Sequence, residues 1–77
     1  MFKVGDKLKT NMAVAEAYYS QWKGSQVYTN YMTAAETKRF EVVADDGGSN
    51  YQIKRDDGEV LLSPKAEAHA QFIVAND

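Results

Sequence analysis

The sequence predicts a mainly β domain: five antiparallel strands, a helical, aromatic-rich insertion after the first strand, and a short helical turn before the last. Three observations predict it. Residues 38–62, KRFEVVADDGGSNYQIKRDDGEVLL, alternate apolar and polar side chains at period two and are cut by two turn-forming runs. Residues 11–37 are dense in rings and shift toward helical spacing. Residues 63–74 read as a capped helical turn followed by strand formers.

Residues 1–10, MFKVGDKLKT, are expected as the first strand. Phe2, Val4 and Leu8 share one parity and Lys3, Lys7 and Lys9 the other, so a strand sets the ammonium groups opposite the apolar side chains. Gly5-Asp6 marks a bulge or bend. Over residues 11–24 the period changes. Ala15, Tyr18, Tyr19 and Trp22 fall at i, i+3, i+4 and i+7 of a helix, with Asn11 as N-cap and Gly24 just past the end. Gln26 to Thr33 is rich in β-formers and is expected as a strand or extended loop, followed by a helical turn over Ala34 to Lys38.

In the second strand Phe40, Val42 and Ala44 are assigned to one face and Glu41, Val43 and Asp45 to the other. Asp45 to Asn50 is a turn, because these residues tolerate positive φ or bond their own backbone. Tyr51, Ile53 and Arg55 alternate with Gln52, Lys54 and Asp56 in the third strand. Asp57-Gly58 suits a two-residue type I′ hairpin leading into Glu59-Val60-Leu61-Leu62. Ser63-Pro64 reads as an N-cap and a proline opening a helical turn that runs to Gln71, and Phe72-Ile73-Val74 forms the last strand.

A length of 77 residues makes one domain with a modest core. With no cysteine, disulfides and thiolate zinc sites are excluded, and stability has to come from packing, with homo-oligomerisation or a partner as reinforcement. The lack of cysteine fits a reducing cytoplasm. A net charge of −2 argues against a strongly electrostatic nucleic-acid binder. No apolar run is long enough to span a membrane, and Met1-Phe2-Lys3-Val4-Gly5 lacks the apolar stretch of a signal peptide. The chain reads as a complete small protein.

Phe2-Lys3-Val4-Gly5-Asp6-Lys7-Leu8 resembles the V-G-D-x-V opening strand of SH3-like small barrels of the KOW and related types. Phe40 to Leu62 resembles their strand–turn–strand–DDGE–strand centre. The resemblance implies a five-stranded SH3-like barrel and covers about half the chain. It departs at residues 11–37, where such barrels have a plain loop. Barrels of this type bind peptides, nucleic acids or protein partners, and some are structural, so the likeness implies a fold and transfers no binding residue.

Catalysis has little to rest on. His69 is the only histidine; as a general base it lacks a visible nucleophile, and a surface or partly packed role is the simpler reading. No nucleophile elbow, phosphate loop or HExxH motif is present, and no enzyme is expected. Asp45/Asp46 and Asp56/Asp57 sit where turns favour aspartate. Asp45 to Asn50 lacks the spacing and distal glutamate of an EF-hand, so neither metal nor cofactor is expected.

Lys3, Lys7, Lys9 and Lys54 form a candidate nucleic-acid face, with Lys38, Arg39 and Arg55 nearby in a barrel and Trp22, Tyr28, Tyr31 and Tyr51 as rings to stack on bases. Acidic residues flank each basic pair, which weakens that reading. The aromatic insertion is more suggestive. Ala15, Tyr18, Tyr19 and Trp22 are able to cap the open end of a barrel, but so small a barrel cannot also bury Tyr28, Tyr31 and Met32. Tyrosine, tryptophan and methionine are enriched where proteins meet partners. The first reading is therefore a non-enzymatic protein-interaction module using Trp22, Tyr28, Tyr31 and Met32. It would be an adaptor or inhibitor, similar in economy to small accessory proteins of bacteria and their phages. Nucleic-acid binding through the lysines is the alternative. A pocket of Trp22, Tyr28 and Tyr31 for a small planar ligand or nucleotide is the third.

Overall fold

Period-two alternation over residues 39–64 builds three adjoining strands, β2 (Arg39–Asp45), β3 (Asn50–Arg55) and β4 (Val60–Pro64), in a computed structural model that describes residues 1–76. β1 (Lys7–Thr10) pairs with β2, and β5 (Phe72–Val74) returns to lie beside β1. The order is β4-β3-β2-β1-β5, antiparallel throughout. β4 and β5 are the two free edges, so the sheet is open. The helices are α1 (Met12–Tyr18), a 3₁₀ turn at Ser20–Trp22, α2 (Gln26–Thr37) and α3 (Lys65–Gln71). None of them, among the described residues, is long and apolar enough to cross a membrane.

β1 begins at Lys7, not at Met1. Lys3 to Asp6 close a turn instead: the Asp6 amide donates to the Lys3 carbonyl at 3.0 Å, and the Lys3 amide to Asp6 Oδ2 at 2.8 Å. Gly5 sits at φ +97°, which glycine adopts without strain. The turn is then stitched to β2, with the Gly5 amide on the Val42 carbonyl and the Val42 amide on the Asp6 carbonyl. Val4-Gly5-Asp6 is thus the approach to the strand, and Lys3 lies outside it.

β2 carries a bulge that the alternation concealed. Val42 pairs with Ile53 and Ala44 with Gln52, leaving Val43 as the extra residue. Parity therefore inverts after Val43. Ala44 leaves the face of Val42, and Asp45 comes level with Tyr51 on the core side. The β3–β4 connection also differs from expectation. Gly58 has φ +91° but Asp57 is not at positive φ, so the type I′ geometry is absent. The Gly58 amide donates to the Arg55 carbonyl and the Arg55 amide to the Glu59 carbonyl, closing a loop of Asp56, Asp57 and Gly58.

The largest correction concerns residues 26–37, which are one helix and not a strand or extended loop. Ser25 decides it. Its Oγ accepts the Tyr28 amide at 3.1 Å as an N-cap and donates to the Trp22 carbonyl at 2.8 Å. Tyr28, Met32 and Ala35 then fall at i, i+4 and i+7 and turn inward, Ala35 fully and the others half-buried. This stripe and the cap outweigh the weak helix propensity of valine, tyrosine and threonine.

The core lies on one face of the sheet. Leu8, Val42, Tyr51 and Ile53 are covered by Phe2 and by Ala68 of α3, with Phe40 and Phe72 packed against them. α1 and α2 form a hairpin that adds Ala15 and Ala35 beside β1, and the molecule is elongated at 41 × 22 × 21 Å.

Candidate functional site

The aromatic insertion folds as the α1–α2 hairpin, and its rings gather around Tyr19. The Tyr19 ring centroid lies 4.9 Å from Tyr18, 5.6 Å from Trp22 and 4.4 Å from Tyr31. The hydrogen bond between Tyr19 and Tyr31 is the main cause that raises the Tyr31 phenol above its ordinary pKa, with burial and the Tyr19 charge adding to it. The expected barrel-capping face is not formed. Of Ala15, Tyr18, Tyr19 and Trp22 only Ala15 is buried, because α1 stops at Tyr18 and the 3₁₀ turn carries Trp22 outward.

Tyr18 is 73% exposed, Trp22 47%, Val27 76% and Tyr31 43%. Val27 and Tyr31 stand at i and i+4 of α2, so they share its outer stripe. The four residues singled out from the sequence therefore divide. Trp22 and Tyr31 are exposed, whereas Tyr28 and Met32 are half-buried on the inner stripe. Tyr18 and Val27 were missed. The signal for Val27 is its position one residue before the inward-facing Tyr28; the signal for Tyr18 appears only once α1 is known to be so short.

A cleft of about 430 Å³ opens between the hairpin and the Phe40–Phe72 pair. Tyr18, Tyr19 and Tyr31 form part of its wall, Phe40 and Phe72 another, and Lys38 is its only charged lining residue. Of the pocket residues expected from the sequence, Tyr31 lines this cleft and Trp22 and Tyr28 do not.

Lys7, Lys9 and Lys54 share the outer face of the sheet, since Lys7 and Lys54 both oppose Glu41 in register. Glu41 sits among them. Its carboxylate takes the Lys7 ammonium at 2.7 Å, which holds the Glu41 carboxyl below its ordinary range. The rings of the sheet (Phe40, Tyr51, Phe72) belong to the opposite face, and Tyr51 is fully buried, so the expected stacking role of Tyr51 is lost.

The turn aspartates are engaged locally. Asp45 Oδ1 accepts the Gly47 amide and Asp46 Oδ1 the Gly48 amide, at 2.8 and 2.7 Å. Asp45 Oδ1 also takes the Lys65 ammonium at 2.7 Å, a pair that the bulge makes geometrically available. His69 bonds the Tyr51 hydroxyl through Nε2 at 2.8 Å and sets its ring edge against Phe2. No family model, curated protein or solved structure matches the chain. The hairpin thus has to be interpreted on its own geometry, and that geometry is a set of mutually braced rings with their outer edges in water.

Proposed function

We propose that the chain is a non-enzymatic protein-interaction module, an adaptor or inhibitor that occupies a partner's surface through the α1–α2 hairpin. The exposure of Tyr18, Trp22, Val27 and Tyr31 on one helical unit carries this reading. Large rings left in water are a recurrent mark of binding surfaces. Because Tyr19 already braces Tyr18, Trp22 and Tyr31, these side chains lose little further freedom on binding. The sheet serves as the base that holds the hairpin. Its strand order, with the last strand beside the first and a helical turn before it, supports an SH3-like ancestry for that base.

The test is capture from a cell lysate with the intact chain as bait, at low and high salt, beside a Trp22→Ala/Tyr31→Ala double variant. A protein held at high salt by the parent chain and released by the variant, at an unchanged melting temperature, supports the proposal. Equal capture by both chains, or a loss of capture that follows a loss of folding, overturns it.

Nucleic-acid binding is the second reading, favoured by Lys7, Lys9 and Lys54 sharing one face. It requires oligonucleotide affinity that falls steeply with salt. Glu41 in the middle of that face and the absence there of a ring to stack on a base place it behind the hairpin.

A further inference from the structure

The two edges of the sheet are unlike. β5 is a three-residue strand, and short edges offer little to pair with. β4 is longer and carries Val60, Leu61 and Leu62 in succession, all exposed, with no charge among them. The usual protections of an edge, an outward lysine or a mid-strand proline, are missing over these three residues; Pro64 comes only at the end.

The backbone of this edge is ordered for pairing. The Arg55 amide donates to the Glu59 carbonyl and the Lys65 amide to the Ser49 carbonyl, so the odd-numbered residues of this segment point their polar groups at β3. By alternation, the amides and carbonyls of Val60 and Leu62 and the carbonyl of Pro64 point away from the sheet.

From this edge we infer that β4 is the interface of a symmetric dimer, in which a second copy of this chain adds its own β4 antiparallel and the two sheets become one. With Leu62 on the two-fold axis, each Leu62 amide meets the Leu62 carbonyl of the other copy, and each Val60 amide meets the other copy's Pro64 carbonyl. Pro64 has no amide to leave unpaired at the end of the ladder. The same register sets Glu59 opposite Lys65 of the second copy on both sides of the axis, an opposite-charge pair repeated by symmetry. Lys65 donates to Asp45 in the free chain, and an ammonium has further donors for a second carboxylate. A register centred on Leu61 also pairs the outward groups, but it sets Glu59 against Ser63, so charge selects Leu62. α3 leaves β4 toward β5, away from this edge, and the hairpin lies at the opposite end of the strand order. The interface is therefore independent of the hairpin surface.

The test joins mass measurement with cross-linking on the full chain. Sedimentation velocity across micromolar to millimolar concentrations is expected to show a monomer–dimer equilibrium. Leu62→Lys, which opposes two ammonium groups at the axis, is expected to weaken association by about tenfold or more. Leu62 is 67% exposed in the single chain, so this variant should fold, and circular dichroism checks that it does. Trp22→Ala/Tyr31→Ala should leave the dimer unchanged. Because the chain has no cysteine, Leu62→Cys should oxidise cleanly to a covalent dimer and Leu61→Cys should not. A chain that stays monomeric throughout, a dimer insensitive to Leu62→Lys, or cross-linking favoured at Leu61→Cys overturns the inference.

Discussion

The Tyr51 hydroxyl lies 2.8 Å from His69 Nε2 and 3.3 Å from the Phe2 amide, so one fully buried phenol ties β3, α3 and the N-terminal segment together. The Phe2 amide donates to the phenol oxygen, which leaves the phenol's own hydrogen for His69 Nε2 and assigns that nitrogen as acceptor. Phe2 closes the arrangement by packing on both rings, at 5.8 Å from Tyr51 and 4.9 Å from His69.

Tyr51→Phe keeps the ring and deletes both bonds, stranding the Phe2 amide. The expected cost is about 1–2 kcal/mol, read as a fall in melting temperature of roughly 5–10 °C for a chain of this size. His69→Ala, which spares the Phe2 bond, should cost less. If Tyr51→Phe melts with the parent, the bonds carry no net stability and only the ring matters.

The pair of Asp45 and Lys65 predicts a stability plateau with two limbs. The Lys65 ammonium, and then the Gly47 amide, hold the Asp45 carboxyl below its ordinary range. That contribution is complete above the usual aspartate value near ~4 and is lost as pH falls through the lowered one. Asp45 likewise raises Lys65, whose contribution is complete below the usual lysine value near ~10.4 and is lost as pH rises through the raised one. Urea midpoints measured across pH should show both limbs. Asp45→Asn should flatten the alkaline limb and reduce the acid one to what remains from Asp46 and Glu41, which the Gly48 and Asn50 amides and Lys7 lower independently. Asp46→Asn should leave the alkaline limb in place. Two unchanged limbs in Asp45→Asn would exclude the pair as their source.

Much of the sheet was legible because alternation is a local property. Val42, Tyr51 and Ile53 are buried where period two puts them, and the chain order of strands and final helix follows from turn residues. What stayed hidden was set by partners distant in sequence or by single backbone bonds. The bulge at Val43 adds one residue without altering composition, and it alone moves Asp45 to the side of Lys65. The hairpin was misjudged at Gln26 to Thr33 because β propensity was weighed and the Ser25 cap was not. That error also blurred the candidate surface. Tyr28 and Met32 look equivalent to Tyr31 in a strand or loop, and only a helix separates them into two stripes.

Ser25→Ala tests the cap. It removes the acceptor for the Tyr28 amide and the donor to the Trp22 carbonyl, so both the start of α2 and its tie to the 3₁₀ turn weaken. A loss of about 1 kcal/mol is expected. Because these contacts are confined to the hairpin, the loss should appear as faster amide exchange in α2 and altered Trp22 fluorescence, with β2 and β3 amides protected as before. Uniformly faster exchange through the sheet would mean that hairpin and sheet unfold as one unit.

The two stripes of α2 make opposite predictions for neighbouring residues. Tyr31 faces outward with Val27, so Tyr31→Ala should lower affinity for a captured protein partner by about tenfold or more while changing stability by no more than about 0.5 kcal/mol. Its only close ring is Tyr19, which keeps Tyr18 and Trp22 as neighbours when Tyr31 is truncated. Tyr28 faces inward with Met32 and the buried Ala35, so Tyr28→Ala opens space under the helix and should cost roughly 1–3 kcal/mol. Any loss of binding in that variant should recover as temperature is lowered and the folded fraction returns. Val27→Ser, on the outer stripe, should weaken binding without affecting the melt. Measuring melting temperature and affinity for all three variants separates a binding stripe from a packing stripe. Parallel losses at Tyr28 and Tyr31 would return both residues to the core and take the hairpin surface out of the functional account.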